Sequence, residues 1–132
     1  MPRVCKVLIV EDDPAVQQVF GMVLADEGYE LVLARDGASM RNALAADDID
    51  VVIIDVMLPG GEMGFVLAGE ATGRGCGVIL VTGHHDHYQH VVDSGYPYLF
   101  KPFRLSALTG MVEQVLQEKA ARCHMKSGKH GE

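Results

Sequence analysis

The sequence has no tryptophan and only three cysteines, Cys5, Cys76 and Cys123, with no CxxC pair among them. An odd number of scattered thiols excludes a disulfide framework and a zinc ribbon, and leaves reduced cysteines. Long apolar runs are also absent: stretches such as Val51–Ile54 are far too short to span a bilayer. The N-terminal Met-Pro-Arg-Val-Cys-Lys lacks the apolar segment and small-residue cleavage site of a secretory signal, so the expected compartment is the cytoplasm. Basic residues are few. The chain carries 11 Lys and Arg against 18 Asp and Glu, a formal charge of −7. The imbalance is uneven: residues 1–118 hold 17 acids and 7 Lys or Arg, residues 119–132 hold 1 acid and 4 Lys or Arg. An acidic body argues against direct nucleic-acid binding, and the short basic end reads as a solvated tail. No repeat and no low-complexity linker is present, and 132 residues fit one domain. A hydrophobic share of 48% is enough for a core and excludes disorder.

What is there is a recurring pattern of short apolar strand followed by helix. Strands are expected at Lys6–Val10, Glu30–Ala34, Val51–Ile54, Val78–Val81 and Tyr98–Phe100. Continuous apolar strands, rather than alternating ones, belong to a parallel sheet covered on both faces. Asp13 before Pro14 reads as an N-cap with proline at the first helical position. Val16, Val19, Phe20, Val23 and Leu24 then line one helical face, and Gly28 ends it. Further helices are expected at 38–46, weakly at 65–71, at 85–93, and at about 104–119. In the last, Leu105, Leu108, Val112, Val115 and Leu116 share a face. Residues 60–77 hold seven glycines and should form the loosest part of the fold. Five βα units predict an α/β, flavodoxin-like, doubly wound parallel sheet of order 2-1-3-4-5.

In such a sheet ligands bind beyond the carboxyl ends of the strands, where the order reverses. Here the first strand runs into Glu11, Asp12 and Asp13, the third ends in Asp55, the fourth in Thr82 and the fifth in Lys101. Neighbouring strands lie about 4.8 Å apart, so Asp12 and Asp55 should face one another with Glu11 close by. Like charges that close repel unless a cation sits among them. An all-oxygen set open to water suits Mg²⁺. With the Lys101 ammonium and the Thr82 hydroxyl beside it, this is the equipment for phosphoryl transfer to an acyl oxygen. Asp55, alone at its strand end, is the nucleophile candidate, and Asp12 is placed as a ligand.

Four motifs, Val-Glu-Asp-Asp-Pro (10–14), Asp-Val-Met-Leu-Pro (55–59), Val-Thr-Gly (81–83) and Tyr-Leu-Phe-Lys-Pro-Phe (98–103), make the chain resemble the response-regulator receiver family of two-component signalling. They stand in the family's order, and the resemblance runs from about residue 4 to 119. A receiver over 4–119 with a short flexible basic tail over 120–132 is expected, read as stand-alone, with a receiver excised from a hybrid kinase as the alternative. The resemblance implies that Asp55 accepts phosphate from a histidine kinase or histidine phosphotransfer protein. Mg²⁺ would be held by Asp12, Asp55 and the Met57 carbonyl, with Glu11 acting through water. Thr82 and Lys101 would contact the phosphoryl group, and Tyr98 would be the switch aromatic. A cis Lys101–Pro102 peptide is implied, as is an output face of helix 4, strand 5 and helix 5, used by a monomer or a dimer. Two departures stand out: the Asp55–Gly64 loop is one residue longer than the usual pattern, and Gly95–Tyr98 one shorter. Met57 and His84 occupy the two positions that tune phosphate lifetime in the family, and an apolar Met57 cannot orient an attacking water.

Other readings compete. Asp13 is expected to cap its helix rather than bind metal. His84, His87 and His90 have a spacing that one helix face could use for Zn²⁺ or Ni²⁺, but a solvated helix start is the simpler reading. Met22 and Met111 read as core filler. A Mg²⁺-dependent aspartyl-phosphate phosphohydrolase would need the same acids, plus a general acid two residues after the nucleophile, where Met57 stands. A phosphate-independent binding module would have no need of the complete set Glu11, Asp12, Asp55, Thr82 and Lys101. With only a dozen residues after the last helix, output is expected through protein contact, not an attached DNA-binding domain.

Overall fold

The computed structural model describes residues 4–58 and 63–131, with side chains described as far as residue 120. Five strands, β1 (Lys6–Val10), β2 (Glu30–Ala34), β3 (Val51–Asp55), β4 (Gly77–Thr82) and β5 (Tyr98–Phe100), form one sheet of order 2-1-3-4-5. Every pairing is parallel. The helices are α1 (Pro14–Asp26), α2 (Gly37–Ala46), α3 (Gly64–Gly73), α4 (Tyr88–Ser94) and α5 (Leu105–Gly131). The expected α/β flavodoxin-like architecture is the observed one.

Alternate residues of the central strands face opposite sides. Leu8, Val10, Val52, Ile54, Val78 and Leu80 pack with Met40, Leu44, Leu67 and Val91 of α2, α3 and α4. Val7, Ile9, Val51, Ile53, Ile79 and Val81 pack with Phe20 and Leu24 of α1 and with Leu108, Val112 and Val115 of α5. Both faces are therefore dry, which is why the strands read as unbroken apolar runs. Burying one such leucine contributes about 1.5–3 kcal/mol, so these two layers fix the strand ends rigidly.

The helix ends follow local chemistry. Asp13 accepts hydrogen bonds from the Ala15 and Val16 amides at 2.9 and 3.4 Å, with Pro14 opening α1. Gly28, at φ 93°, takes the left-handed conformation that releases the chain into β2. Asp36 and Ser39 form a capping box at α2. At the amino edge of the sheet, Asp50 accepts from the Lys6 amide at 2.8 Å and lies 3.6 Å from the Lys119 ammonium. That contact ties α5 to β3.

Three elements differ from expectation. The helix foreseen at 85–93 begins as a 3₁₀ turn, His85–His87, and becomes α-helical only at Tyr88. No side chain caps that turn, which is closed by the His87 amide donating to the His84 carbonyl at 3.1 Å, the i to i+3 bond of a 3₁₀ turn. The helix foreseen to stop near 119 continues to Gly131, because no proline interrupts it. The weak helix at 65–71 is a full ten residues, Gly64–Gly73. The glycine-rich stretch is thus structured from Met63 onward, and its first part, residues 60–62, lies outside the described residues.

Gly64 is required by contact. A Cβ there would sit 2.7 Å from the Asp55 carbonyl oxygen and 2.8 Å from the Val56 Cα, both backbone atoms that cannot swing aside. Gly64→Ala is expected to destabilise the fold by roughly 1–3 kcal/mol, the range of an overpacked site. A urea midpoint unchanged from wild type would contradict that close packing.

Candidate functional site

The carboxyl ends of β1, β3, β4 and β5 place Glu11, Asp55, Thr82 and Lys101 together. β1 and β3 are adjacent in the sheet, with Val10 level with Ile54. Glu11 and Asp12 leave β1 where Asp55 ends β3. Carboxylate oxygens of Glu11, Asp12 and Asp55 all lie within 4.8 Å of one another, the one such group among the described residues. Glu11 is 4% exposed and Asp55 8%, whereas Asp12 opens to solvent.

The Lys101 ammonium reaches into this cluster, 3.2 Å from Glu11 Oε1 and 3.2 Å from Asp55 Oδ2. Its position follows from β5: the Lys101 amide donates to the Thr82 carbonyl at 2.8 Å, continuing the β4–β5 pairing past Phe100. The Lys101–Pro102 peptide that follows is cis. Asp55 Oδ1 accepts from the Met57 amide at 2.9 Å, which fixes the carboxylate's orientation. Thr82 is fully buried, and its hydroxyl oxygen accepts from the His84 amide at 3.1 Å, leaving the hydroxyl proton to donate.

Burial dominates the electrostatics of Glu11 and pushes its pKa up to about 7. The Asp13 amide, donating at 3.1 Å, and the Lys101 ammonium oppose that rise, while the Asp55 charge adds to it. Burial works against the Lys101 ammonium too, but the charges and hydrogen bonds of Asp55 and Glu11 outweigh it, and its pKa is raised. The pocket therefore holds more negative charge than one ammonium balances. An oxygen-only set of three converging carboxylates, one of them open to water, fits a hard divalent cation such as Mg²⁺.

The structure brings together Glu11, Asp12 and Asp55, and adds Gln17, which sequence reasoning missed. Its amide donates to the carbonyls of Glu11 at 3.2 Å and Ala34 at 2.9 Å, which pins the β1–α1 turn. Only its place one turn into α1 hinted at this. Asp13 acts as a cap, as expected. The histidines do not gather as one helical face: His90 leaves the set to stack on Phe65, with ring centres 3.9 Å apart. Tyr98 is half-buried on β5, its ring 5.0 Å from that of Phe100, which itself stacks on Tyr88 at 4.1 Å.

The response regulator receiver domain family matches residues 7–113. The transcriptional regulatory protein TorR of Escherichia coli is 31% identical over 114 residues, covering 83% of this chain and 49% of that protein. The response regulator MprA of Mycobacterium tuberculosis is 32% identical over 118 residues, covering 85% of this chain and 50% of MprA. The chain thus spans about half the length of these curated relatives. The response regulator TrrA of Thermotoga maritima, solved in complex with Mg²⁺ and BeF, superposes with a TM-score of 0.75 at 26% identity, covering 86% of this chain and all of that one. A family match over most of the chain, joined to the observed strand order and acidic pocket, makes this protein a member of the response regulator receiver domain family, the phosphoacceptor modules of two-component signalling.

Proposed function

We propose that Asp55 is the phosphoacceptor and that the donor is the phosphohistidine of a histidine kinase or a histidine phosphotransfer protein. The observation that carries this reading is the single lysine ammonium set 3.2 Å from both Asp55 and Glu11, inside a group of three carboxylates. An Asp55 carboxylate oxygen attacks phosphorus in line, a P–O bond forms, the P–N bond to the donor imidazole breaks, and the imidazole keeps the electron pair. Asp12, Asp55 and the Met57 carbonyl would hold Mg²⁺, with Glu11 acting through water. When bound, the ion neutralises charge on the phosphoryl oxygens. The Met57 amide holds Asp55 in place for attack. Lys101 pairs with a phosphoryl oxygen in place of one carboxylate contact, and the Thr82 hydroxyl donates to another.

Output then runs through protein contact at α4, β5 and α5, with Tyr98 turning inward as Thr82 moves toward the phosphate. Residues 4–119 form this receiver, acting in the cytoplasm, and 120–132 lie outside it. No helix among the described residues is long and apolar enough to cross a membrane. The Met57 side chain, half-exposed beside Asp55, offers an attacking water no strong hydrogen-bond partner.

Incubation with acetyl phosphate and Mg²⁺, followed by intact mass, should give one phosphoryl adduct that is lost without Mg²⁺ and in Asp55→Asn. A folded protein that stays unmodified, and that a cognate kinase also fails to modify, would overturn the assignment. The adduct is expected to decay over minutes or longer, and a half-life of seconds would show that Met57 does not disfavour water. Glu11 adds a pH dependence. Its native pKa of about 7 lies above its ordinary 4.5, so the metal-free native state binds the extra proton between those values. Metal-free stability should therefore fall as pH rises from 4.5 to 7, and Mg²⁺ affinity should rise over the same window. Both slopes should flatten in Glu11→Gln, as read by thermal melts and Mg²⁺ titrations.

A further inference from the structure

At the lip of the acidic pocket lies a second cluster, whose side chains hold neither Asp55 nor Mg²⁺ in the proposed transfer. It is carried by the 3₁₀ turn His85–His87 and the residue before it, His84. His84, extended at the entry to the turn, accepts the His87 amide at 3.1 Å, and the two rings lie with centres 6.2 Å apart and planes at 68°. Met57 enters from the loop after β3, and its Sδ lies 3.0 Å from His87 Nε2. His85 turns away toward Tyr88, ring centres 5.0 Å apart, and His90 is stacked on Phe65. His87 thus neighbours both the His84 ring and a thioether.

Geometry and softness then select the ion. An imidazole nitrogen binds a metal at about 2.0 Å, which puts the ring centre about 3.1 Å from the ion. Two rings can share one ion only when their centres are within about 6.2 Å, the limit with both nitrogens in line across the ion, and the 6.2 Å separation of His84 and His87 sits at that limit. A thioether is neutral and soft. Together with imidazole it suits Cu⁺, whereas Mg²⁺ prefers oxygen and structural Zn²⁺ takes four ligands from Cys, His and carboxylate. Met57 is 39% exposed and His84 is exposed, so an ion arriving from solvent has access.

We propose that Met57 Sδ and the imidazoles of His84 and His87 form a binding site for Cu⁺. The inference does not rest on phosphoryl transfer, because none of these three side chains belongs to the oxygen set around Asp55.

The test is an anaerobic titration of Cu⁺ against a chromophoric Cu⁺ chelator such as bicinchoninate, without Mg²⁺ or acetyl phosphate. The protein would carry Cys5→Ser and Cys123→Ser to remove thiols outside the buried Cys76. One Cu⁺ per chain is expected, with nitrogen and sulfur scatterers in its X-ray absorption spectrum. Met57→Leu should remove the sulfur scatterer. His84→Gln and His87→Gln should each weaken binding about tenfold or more, the scale on which metal sites respond to lost contacts. His90→Gln should leave affinity unchanged. Circular dichroism matching wild type establishes that each variant is folded, and the exposed His84 supplies an independent probe should His87→Gln fail that check. Failure of the Cys-substituted protein to take Cu⁺ from the chelator overturns the proposal, as does binding that survives both histidine substitutions.

Discussion

Everything at the carboxyl edge of this sheet depends on the Lys101 ammonium standing between two buried carboxylates. Glu11 and Asp55 are each less than a tenth exposed, and water screens them poorly. Their mutual repulsion and desolvation would normally force one to keep a proton, and Glu11 is indeed driven to a pKa of about 7. One ammonium, itself raised in pKa by both partners, cannot neutralise the whole group. The unmet charge is what makes the pocket receptive to a divalent cation. A buried ion pair of this kind is a weak source of stability, so its place in the fold is better understood as a device of function.

Such crowding is tolerated because the strands beneath it cannot move apart. β1, β3 and β4 are buried on both faces, with α1 and α5 on one side and α2, α3 and α4 on the other. The backbone then carries the rigidity outward. The Lys101 amide continues the β4–β5 pairing, the Val56 amide donates to the Val81 carbonyl at 2.9 Å, and Gln17 clamps the first turn of α1 to the end of β2. The acids are held at strand ends instead of on long loops, and their spacing is set by the sheet itself.

That is also why so much was legible in the sequence. Unbroken runs such as Val7–Val10 and Val51–Ile54 announce strands covered on both faces, and the residue ending each run is then placed by topology alone. The Asp13-Pro14 start of α1 was equally readable, because a cap and its proline act within one turn. What could not be read involves partners distant in sequence. His90 finds Phe65, 25 positions away, and leaves the histidine set. Gly64 looks like one glycine among seven, but it is the one pressed against the Asp55 backbone. The apolar face of α5 ends at Leu116 while the helix runs on to Gly131, since no proline in the following residues breaks it.

Met57 is where the two sites meet. Its amide orients Asp55, and its thioether touches His87. Four bonds separate the amide nitrogen from Sδ, so any ligand that fixes one end restricts the other. Thermodynamic linkage makes such a restriction mutual: whatever Cu⁺ does to affinity at the acidic pocket, an occupant of the pocket does equally to Cu⁺. His84 makes a second connection just past the adjacent strand β4, where its amide donates to the hydroxyl oxygen of Thr82. A movement of Thr82 toward Asp55 must therefore stretch or carry along the segment that bears both histidines. The acidic pocket and its histidine lip are joined by two short amide-to-side-chain hydrogen bonds, Met57 to Asp55 at the end of β3 and His84 to Thr82 at the end of β4.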